Sequence, residues 1–400
     1  MKVSLSIIGR FHFFDLACQL EKHGILHQLI TSYPKFEAVR YGIPRRKISS
    51  VLKKEIIQRG WRLMPRLIRD LYNPQYFLHE MFDKKSSKFL KKEADILTTT
   101  GSCYEYTIKK AKSQGTLVVV ESGSSHAFFQ NEIVGEEYKN FGIPYSPFQL
   151  SDKRIFDDTL KSYEIADYIA IPSNFAKKTF LEKGIPEEKL IYVPYGVDLS
   201  EFRQVEKQDD VFRVVFAGGM NLRKGVHYLL QGFSELNLPN SELVFLGTVN
   251  DEIKPFFRKY SVRSSDKFGN GDKEILYLGH KPQRELYKYY SQCSVFVIMS
   301  IQEGLALVQP QAMACGLPVI CTTNTGGEDI IRDGKDGYII PIRDVDALKE
   351  KILYLYENPE EREKMSKSAR ERVSTGFTWD DYGDRIVKEY ERILNSKNQF

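Results

Sequence analysis

The sequence predicts an α/β protein built from two Rossmann-like domains. The chain has 400 residues, which is the usual size of two domains. Short apolar runs typical of buried strands alternate with helical patterns along most of it. A charged stretch at 204–210 separates two such series and indicates a boundary near 199–211. We therefore predict domains at 1–198 and 199–376, followed by a C-terminal helix at 377–400.

Composition excludes several classes of protein. The apolar fraction of 42% is enough for large cores, and a net charge of +5 is too small to indicate a nucleic-acid partner. No apolar run approaches the ~20 residues of a membrane helix, and the apolar start is too short for a signal peptide. We expect a cytoplasmic protein whose scattered cysteines are buried free thiols. They are Cys18, Cys103, Cys293, Cys315 and Cys321.

The first domain is predicted from buried strands separated by helices. The strands are expected at 3–8, 26–31, 95–99, 116–120, 168–171 and 190–193. The first helix ends before Gly24, and the others are expected at 104–112, 152–166 and 173–183. Ser173 is a plausible N-cap of the last of these.

Two strand ends in this domain carry polar side chains. Gly9 and His12 follow the first strand, and Glu121 and His126 lie in a Gly/Ser loop after the strand at 116–120. Open α/β sheets bind ligands at the carboxyl ends of their strands, so both loops are candidate sites. His126 is the preferred site residue, because a histidine that only packs against its own helix start explains His12 equally well.

The segment 40–72 differs from its surroundings. It holds ten Lys and Arg residues against Glu55 and Asp70, and its apolar residues have helical spacing with a break near Gly60 and Pro65. A basic amphipathic helix with a Trp suits an anionic membrane surface or an anionic acceptor. The alternative is a helix pair packed on the sheet with its basic face in water.

A glycine-rich loop opens the second domain. A strand at 212–216 is followed by the loop 217–225, which carries Arg223 and Lys224 before a helix. Such a loop can hold a diphosphate with backbone N–H groups and a cation. A surface Arg-Lys pair at a helix start is the simpler alternative. Further strands are expected at 243–246 and at 276–280, the second ending at His280 and Lys281.

The stretch 300–320 is the most informative part of the chain. A strand at 294–299 leads to a turn at Glu303-Gly304, a helix at 307–314 and a buried strand at 318–321. The first N–H groups of a helix have no internal partner, and its dipole favours an anion there. We expect those groups, from Leu305, Ala306 and Leu307, to bind an anion beside Glu303. Gln311 lies about two helical turns further on.

This stretch resembles the nucleotide-sugar site of retaining glycosyltransferases with the GT-B fold, family four, also called glycosyl transferases group 1. The family pattern is a Glu, seven residues and a second Glu, followed by A-x-A-x-G-x-P-V. Glu303 holds the first position, and Gln311 replaces the second Glu, keeping hydrogen bonding without charge. The tail of the pattern is held by Ala312, Ala314, Gly316, Pro318 and Val319.

The resemblance extends to both ends of the chain. The Gly-x-Phe-His turn and the Gly-Ser-Ser-His loop resemble one branch of the family, and 194–202 resembles its inter-domain hinge. In the loop 217–225, Lys224 keeps the family's Lys, whereas Gly219 stands at the family's Arg position. By resemblance, the amphipathic tail is a helix that crosses back onto the first domain, with Trp379 as anchor.

The resemblance implies two domains that face each other across a cleft. It also implies transfer of a sugar from a nucleotide-diphosphate sugar to a hydroxyl of a glycan or lipid-linked acceptor, with retention of configuration at the anomeric carbon. Glu303 and His126 are then the candidate catalytic residues, and Gly9, His12 and Glu121 lie on the acceptor side. No DxD motif occurs, so we expect no obligatory metal and no other cofactor. Candidate donor-binding residues are Gly218, Gly219, Arg223, Lys224, His280, Lys281, Gly304, Leu305, Ala306, Leu307 and Gln311.

Other functions on the same fold remain open from the sequence. A nucleotide-sugar epimerase would consume donor without an acceptor, and a glycan phosphorylase would need phosphate. A non-catalytic sugar-binding partner subunit is a third alternative, because Gln311 and Gly219 depart from the family pattern. The sequence leaves the donor base, the sugar and the acceptor undetermined.

Overall fold

The computed structural model describes residues 1–145 and 152–397, apart from the side chains of 62, 66, 70 and 397. Two seven-stranded sheets form, and every strand pair in them is parallel. Parallel strands need crossover helices, so apolar runs alternating with helical patterns fold into helices on both faces of each sheet. The predicted α/β fold with two Rossmann-like halves is confirmed.

The first sheet has the strand order β3-β2-β1-β4-β5-β6-β7. Its strands are β1 (Val3–Ile7), β2 (Leu26–Thr31), β3 (Ile48–Ser50), β4 (Ile96–Thr99), β5 (Leu117–Glu121), β6 (Tyr168–Ile171) and β7 (Leu190–Tyr192). Every residue of β1, β4 and β5 is buried, because helices cover both faces of this sheet. Six of these strands match the sequence prediction, whereas β3 lies inside the segment expected to be helical.

The helices of the first half are α1 (Phe13–Lys22), α2 (Lys35–Val39), α3 (Leu52–Arg62), α4 (Arg66–Leu71), α5 (Gln75–Phe89), α6 (Lys109–Ser113), α7 (Ala127–Asn140), α8 (Lys153–Ile165) and α9 (Asn174–Glu182). The predicted N-cap of α9 is confirmed, since the Ser173 side chain accepts a hydrogen bond from the N–H of Ala176. The predicted break near Gly60 and Pro65 is confirmed at Pro65, which is the N-cap of α4, whereas α3 continues through Gly60 and ends at Arg62.

The second sheet has the strand order β10-β11-β9-β8-β12-β13-β14. Its strands are β8 (Phe212–Met220), β9 (Ser241–Val249), β10 (Arg263–Ser264), β11 (Asp272–Tyr277), β12 (Val295–Ile298), β13 (Val319–Thr322) and β14 (Gly337–Ile340). The first strand is longer than predicted. It pairs with β9 as far as Met220, so Gly218 and Gly219 lie inside a strand and not in a loop.

The helices of the second half are α10 (Val226–Glu235), α11 (Lys254–Lys259), α12 (Leu286–Tyr290), α13 (Val308–Ala314), α14 (Val345–Glu357) and α15 (Pro359–Ser374). At the start of α10, Gly225 has φ of 63°, and a Cβ there would lie 1.9 Å from the carbonyl oxygen of Met299. Only glycine permits this approach of the 217–225 segment to the end of β12.

The last helix, α16 (Trp379–Lys397), returns to the first half of the chain. It packs along α1, where Gln19 donates a hydrogen bond to Asp380. Tyr390 is fully buried, and its hydroxyl lies 2.7 Å from the hydroxyl of Thr98 at the end of β4. The Trp379 ring lies 6.5 Å from the ring of Tyr195 in the first half, centre to centre, as expected of an anchor.

Two further expectations concern cysteines and membrane helices. All five cysteines are free thiols, four of them buried and Cys18 partly buried, as predicted. Among the helices that the structure describes, none has the length and apolarity needed to cross a membrane.

Candidate active site between the two sheets

A cleft of about 1990 Å³ lies between the carboxyl ends of the two sheets. One wall comes from the loops after β1 and β5, and the other from the end of β8 and the segments 217–225 and 303–311. Pockets for one small ligand are usually of ~300–1,000 Å³, so this cleft has room for two reactants.

Three charged side chains form the centre of the second wall. Glu303 Oε1 lies 2.5 Å from Lys224 Nζ and 3.1 Å from Arg223 Nη1, and it accepts a hydrogen bond from the Ser300 hydroxyl. Lys224 and Glu303 line the cleft. Arg223 does not, because its guanidinium is held between Glu303 and the carbonyl of Gln302. The expectation that Arg223 faces the diphosphate is therefore corrected.

These contacts fix the ionisation of the cluster. Burial alone would raise the pKa of Glu303, but Arg223 and Lys224 outweigh it and lower that pKa to about 2. Burial lowers the pKa of Lys224, and the neighbouring Glu303 opposes that shift. The direct contact at 2.5 Å indicates a charged pair, so Glu303 is a carboxylate and Lys224 an ammonium at neutral pH.

The N–H groups before α13 are only partly free. Those of Leu305 and Leu307 have no partner among the described residues, and both residues line the cleft. Ala306 also lines it, but its N–H donates to the carbonyl of Thr325 at 3.2 Å. The expectation that all three N–H groups are available to an anion is corrected to two.

The two walls touch at a point where only glycine fits. A Cβ on Gly304 would lie 2.2 Å from the carbonyl oxygen of Gly123, so the loops after β5 and β12 are in backbone contact. Gly304 is thereby turned away from the cleft and does not line it, contrary to expectation. Its carbonyl accepts a hydrogen bond from the Ser173 hydroxyl.

Gln302 joins the two walls and was not found from the sequence. It is fully buried, and its side-chain amide donates to Ser124, Ser125 and the carbonyl of Glu303 at 2.7–2.9 Å. These bonds fix the main chain on both sides of the Glu303 turn. The only signal in the sequence is its place beside Glu303, and an exposed loop glutamine would look the same.

The first wall presents a paired histidine and glutamate. His12 Nε2 lies 2.9 Å from Glu121 Oε1, both side chains are buried, and both residues line the cleft with Gly9. The other ring nitrogen of His12 has no partner among the described residues. Glu121 therefore orients the imidazole, and the tautomer with the proton on Nε2 leaves Nδ1 as a hydrogen-bond acceptor.

Tyr195 and Asp15 lie beside this pair and were not predicted. The Tyr195 ring is 4.3 Å from the imidazole of His12, centre to centre. Its hydroxyl and Glu121 Oε2 are buried and make no hydrogen bond of standard geometry with the described residues, but they are neighbours, since burial and the adjacent Glu121 raise the pKa of Tyr195. Burial raises the pKa of Asp15 to about 7, against the effect of His12. Neither residue belongs to a sequence motif, so their position beside the His12–Glu121 pair is seen only in the structure.

His126 does not face the cleft. Its Nδ1 accepts a hydrogen bond from the N–H of Phe128 and so caps α7. The ring packs with Tyr163 and Phe180, and burial with the nearby Lys183 lowers its pKa to about 4. The expectation that His126 lies beside the donor sugar is corrected, because the loop turns its side chain into an apolar cluster.

The remaining predicted site residues also line the cleft, but β11 ends at Tyr277, so His280 and Lys281 lie in the loop after it and not at the end of a strand at 276–280. On the second wall, the residues that line the cleft include Gly218, Gly219, His280, Lys281 and Gln311. Among the described residues, no group of three or more His, Cys, Asp or Glu side chains could hold a metal ion.

The segment after β3 forms an outer edge of the cleft, with charged side chains buried toward the cleft and apolar side chains exposed. Lys54 and Glu55 of α3 are buried and line the cleft. Its apolar side chains are exposed, Ile56 by 68% and Leu63 by 87%, and so is Leu67 of α4, by 83%. The alternative of a helix pair packed through its apolar residues is therefore wrong for these side chains. Arg62 and Arg66 lie outside the described side chains.

Comparison with known proteins assigns the chain to a family. Residues 198–372 match the family model described as glycosyl transferases group 1. A glycosyltransferase of Methanocaldococcus jannaschii, MJ1178, is 30% identical over 276 residues, which cover 67% of this chain and 74% of that protein. The chain belongs to the group 1 glycosyl transferases. The matched region contains Lys224, Glu303 and Gln311.

Two further comparisons place this glycosyltransferase among its relatives. Spore coat protein SA of Bacillus subtilis is 29% identical over 187 residues, or 45% of this chain, and the match spans only 48% of that protein. The crystal structure of Anabaena HepE in complex with UDP-glucose superposes with a TM-score of 0.67 at 12% identity, over 97% of this chain and 99% of that one. At that identity the likeness shows the GT-B fold alone.

Proposed function

We propose that this glycosyltransferase moves a sugar from a nucleotide-diphosphate sugar to an acceptor hydroxyl, with retention at the anomeric carbon and without an obligatory metal. The observation that carries the proposal is the ion pair of Lys224 and Glu303 on one wall of the cleft. It faces the His12–Glu121 pair on the other wall. A donor and an acceptor can then meet between two preformed polar sites.

The second wall suits the donor. Lys224 and the free N–H groups of Leu305 and Leu307 supply positive charge and donors for a diphosphate. Glu303 follows at the turn before α13, within reach of the sugar attached to that diphosphate. Its carboxylate can accept bonds from sugar hydroxyls and stabilise positive charge at the anomeric carbon in the transition state. Gln311 lines the same wall, and its amide can bond the ribose hydroxyls of the donor.

The first wall suits the acceptor. His12 Nδ1 can accept a hydrogen bond from an acceptor hydroxyl next to the attacking one and so position the acceptor, with Glu121 holding the ring. In a reaction with retention, the acceptor hydroxyl attacks from the face that the diphosphate leaves. The leaving phosphate oxygen then takes the hydroxyl proton. The new glycosidic bond forms as the old carbon–oxygen bond breaks, so atoms and charge balance without a further reactant.

The direct test of retention is the configuration of the product. Proton NMR of a reaction with an α-linked donor should show an α-linked product at the earliest time points. A β-linked product would overturn the proposed stereochemistry while leaving the glycosyltransferase assignment intact.

Independence from metals rests on the cations that the protein itself supplies. Lys224 and two N–H groups bind the diphosphate and neutralise its charge. This is the role of Mg²⁺ or Mn²⁺ in sites where the diphosphate lacks such partners. Activity should therefore be unchanged in excess EDTA. Loss of activity on chelation, restored by Mg²⁺ or Mn²⁺, would contradict this part of the proposal.

We further propose that the protein works as a cytoplasmic enzyme at an anionic membrane surface, bound through residues 40–72, on glycan or lipid-linked acceptors. The exposed apolar side chains of α3 and α4 support it, together with exposed cations such as Lys53 and Arg69. Vesicles containing 30% phosphatidylserine should co-sediment the protein at low salt and release it as salt rises. Equal co-sedimentation with neutral phosphatidylcholine vesicles would contradict the electrostatic part.

A further inference from the structure

The acceptor end of the cleft is lined by positively charged side chains. Arg10 follows β1, Arg40 follows α2, and Lys54 and Arg59 belong to α3. Two carboxyl groups also line this part of the cleft, Glu55 of α3 and Asp15 of α1. Burial raises the pKa of Asp15, and the nearby His12 and Arg10 oppose that shift. The four cations come from three separate segments, so their convergence is a property of the fold and not of one basic run.

Hydrogen bonds tie these segments into one surface. The N–H of Gly9 donates to the Ser32 hydroxyl, which donates to Glu55 Oε1 at 2.6 Å. Lys54 Nζ lies 2.8 Å from the same oxygen and also donates to Gln58. The loop that carries Arg10 and His12 is thus fixed against the start of α3.

The charge on this surface is only partly neutralised. Glu55 compensates Lys54, and Arg40 is paired with Glu37 at 3.1 Å. Among the side chains that the structure describes, no carboxylate lies within ion-pair distance of Arg10 or Arg59. Guanidinium groups bind phosphate oxygens through paired hydrogen bonds, and they bind them more tightly than neutral groups.

Helix α3 separates this basic wall from an apolar outer surface. Lys54, Gln58 and Arg59 line the cleft. Leu52, Ile56 and Leu63 are exposed, and their spacing of four and seven residues puts them on the face of the helix opposite Lys54 and Gln58. Arg59 shares this apolar face, between Ile56 and Leu63, so it lies where the basic wall and the apolar surface meet. A molecule with an anionic head and an apolar chain could therefore pass from the cleft over α3 without crossing a packed core.

We infer that the acceptor is an anionic amphiphile, a saccharide joined through a phosphate ester to a lipid chain, with its phosphate at Arg10 and Arg59. The inference rests on the proposed function, since it names the acceptor of that transfer. The saccharide lies toward His12, the phosphate lies at the basic wall, and the chain follows the exposed face of α3 and α4. The cleft of about 1990 Å³ leaves room for this head group beside a donor.

The test is direct binding of dodecyl phosphate below its critical micelle concentration, measured by calorimetry with saturating UDP or GDP so that the donor site is filled. Dodecyl glucoside and inorganic phosphate are the two comparison ligands. Dodecyl phosphate should bind at least roughly tenfold more tightly than either, because only it offers both charge and chain. Binding no tighter than dodecyl glucoside would overturn the phosphate site, and binding no tighter than inorganic phosphate would overturn the lipid chain.

Variants locate the site. The double variant Arg10→Gln/Arg59→Gln should weaken dodecyl phosphate binding by roughly tenfold or more, with dodecyl glucoside unchanged. The control Lys85→Gln/Lys88→Gln removes two exposed charges from α5 outside the cleft and should change neither. An equal loss in both double variants would overturn the inference, since it would indicate attraction to overall charge.

Nucleotide binding separates this inference from the proposed function. If neither UDP nor GDP binds the wild-type protein, the donor-site proposal fails. If UDP or GDP binds wild type and both double variants with equal affinity, and dodecyl phosphate also binds these three proteins with equal affinity, only the acceptor inference fails.

Discussion

The two walls of the cleft differ in how their polar groups are satisfied. On the donor wall, Glu303 is paired with Lys224 and Arg223, and Gln302 fixes the turn beside them. On the acceptor wall, Glu121 Oε2 and the Tyr195 hydroxyl are buried and make no hydrogen bond of standard geometry with the described residues. The charged side chains of the donor wall are therefore paired before any ligand binds, and the donors still free in the described part of that wall include the backbone N–H groups of Leu305 and Leu307. On the acceptor wall, the unused hydrogen-bonding capacity belongs to side chains.

The difference follows the family relationship. The region that matches group 1 glycosyl transferases, residues 198–372, contains the charged side chains of the donor wall. His12, Glu121 and the basic residues of α3 lie outside it. A shared donor chemistry needs a preorganised site, and the acceptor wall is where this chain can differ from its relatives. The following predictions test that division.

Glu303→Gln should produce the largest effect, with kcat falling on the order of a hundredfold and nucleoside diphosphate affinity near wild type. The lost charge is worth roughly 2–4 kcal/mol in the transition state. Because the pKa of Glu303 is about 2, this carboxylate should contribute no acid limb to a pH–rate profile above pH 4. Steady-state kinetics and calorimetry measure both quantities.

Gln311→Ala is the contrasting variant, since it should mainly weaken donor binding and keep kcat. Wild-type turnover by Glu303→Gln would show that this carboxylate is structural, and the donor sugar would then lie elsewhere.

Lys224→Ala should weaken nucleoside diphosphate binding by about ten- to a hundredfold, and nucleoside binding far less. The lost contact is to a phosphate charge, worth roughly 1.5–3 kcal/mol. Arg223→Ala is the matched comparison on the same segment. Its guanidinium contacts Glu303 and the Gln302 carbonyl without lining the cleft, so its effect on binding should be smaller. Unchanged diphosphate affinity in Lys224→Ala would refute the phosphate site.

Glu121→Gln should raise the KM for the acceptor by roughly tenfold and leave donor affinity unchanged. A neutral amide no longer holds the proton on His12 Nε2 as firmly, so the ring loses its fixed tautomer. Tyr195→Phe should act in the same direction with a smaller effect. Donor binding that falls as much as acceptor binding would show that the two walls do not act separately.

Asp15→Asn should stabilise the protein by about 1–3 kcal/mol at pH 8 and by less at pH 5. Burial raises the pKa of Asp15 from 3.8 to about 7, so ionising it costs more in the folded than in the unfolded chain. That cost begins above pH 3.8, grows up to about pH 7 and is constant beyond. Denaturant unfolding at several pH values measures it, and a difference independent of pH would contradict the shift.

His126→Asn should have the smallest effect on catalysis. Asparagine can still cap α7, so we expect a loss of about 1–2 kcal/mol from the missing ring packing and wild-type kcat per folded molecule. The result separates His126 from His12, since a large loss of kcat would return His126 to the active site.

Sequence patterns predicted most strands of the two sheets because those strands are buried on both faces, but β3, β10 and β14 were missed. A continuous apolar run such as Val295–Ile298 indicates a parallel strand that helices cover on both faces. The exceptions have physical reasons. The short strand β3 has the partly polar sequence Ile-Ser-Ser at the edge of its sheet, so no apolar run marks it. Gly218 and Gly219 suggested a loop, yet β8 continues because β9 pairs with it beyond those glycines.

The site was predictable where backbone and charge define it, and not where side-chain direction does. Lys224 and Glu303 were found because a Gly-rich segment and a helix start both favour an anion. His126 and His12 each follow a strand, and nothing in the sequence shows that one ring turns into an apolar cluster and the other toward Glu121. Gln302 contacts Ser124, which lies 178 residues earlier in the chain, and Tyr195 contacts His12 in the first loop. No local sequence pattern records such contacts.

The return of α16 to the first half has a consequence for synthesis on the ribosome. Tyr382 and Tyr390 are buried, the latter against Thr98, so their apolar sites on the first half are empty until the end of the chain emerges. At about 5–20 residues per second, the roughly 200 residues between β7 and α16 take on the order of 10–40 seconds to translate. During that time the first half exposes the apolar surface that α16 later covers, and transiently exposed apolar surface of this kind is what chaperones protect.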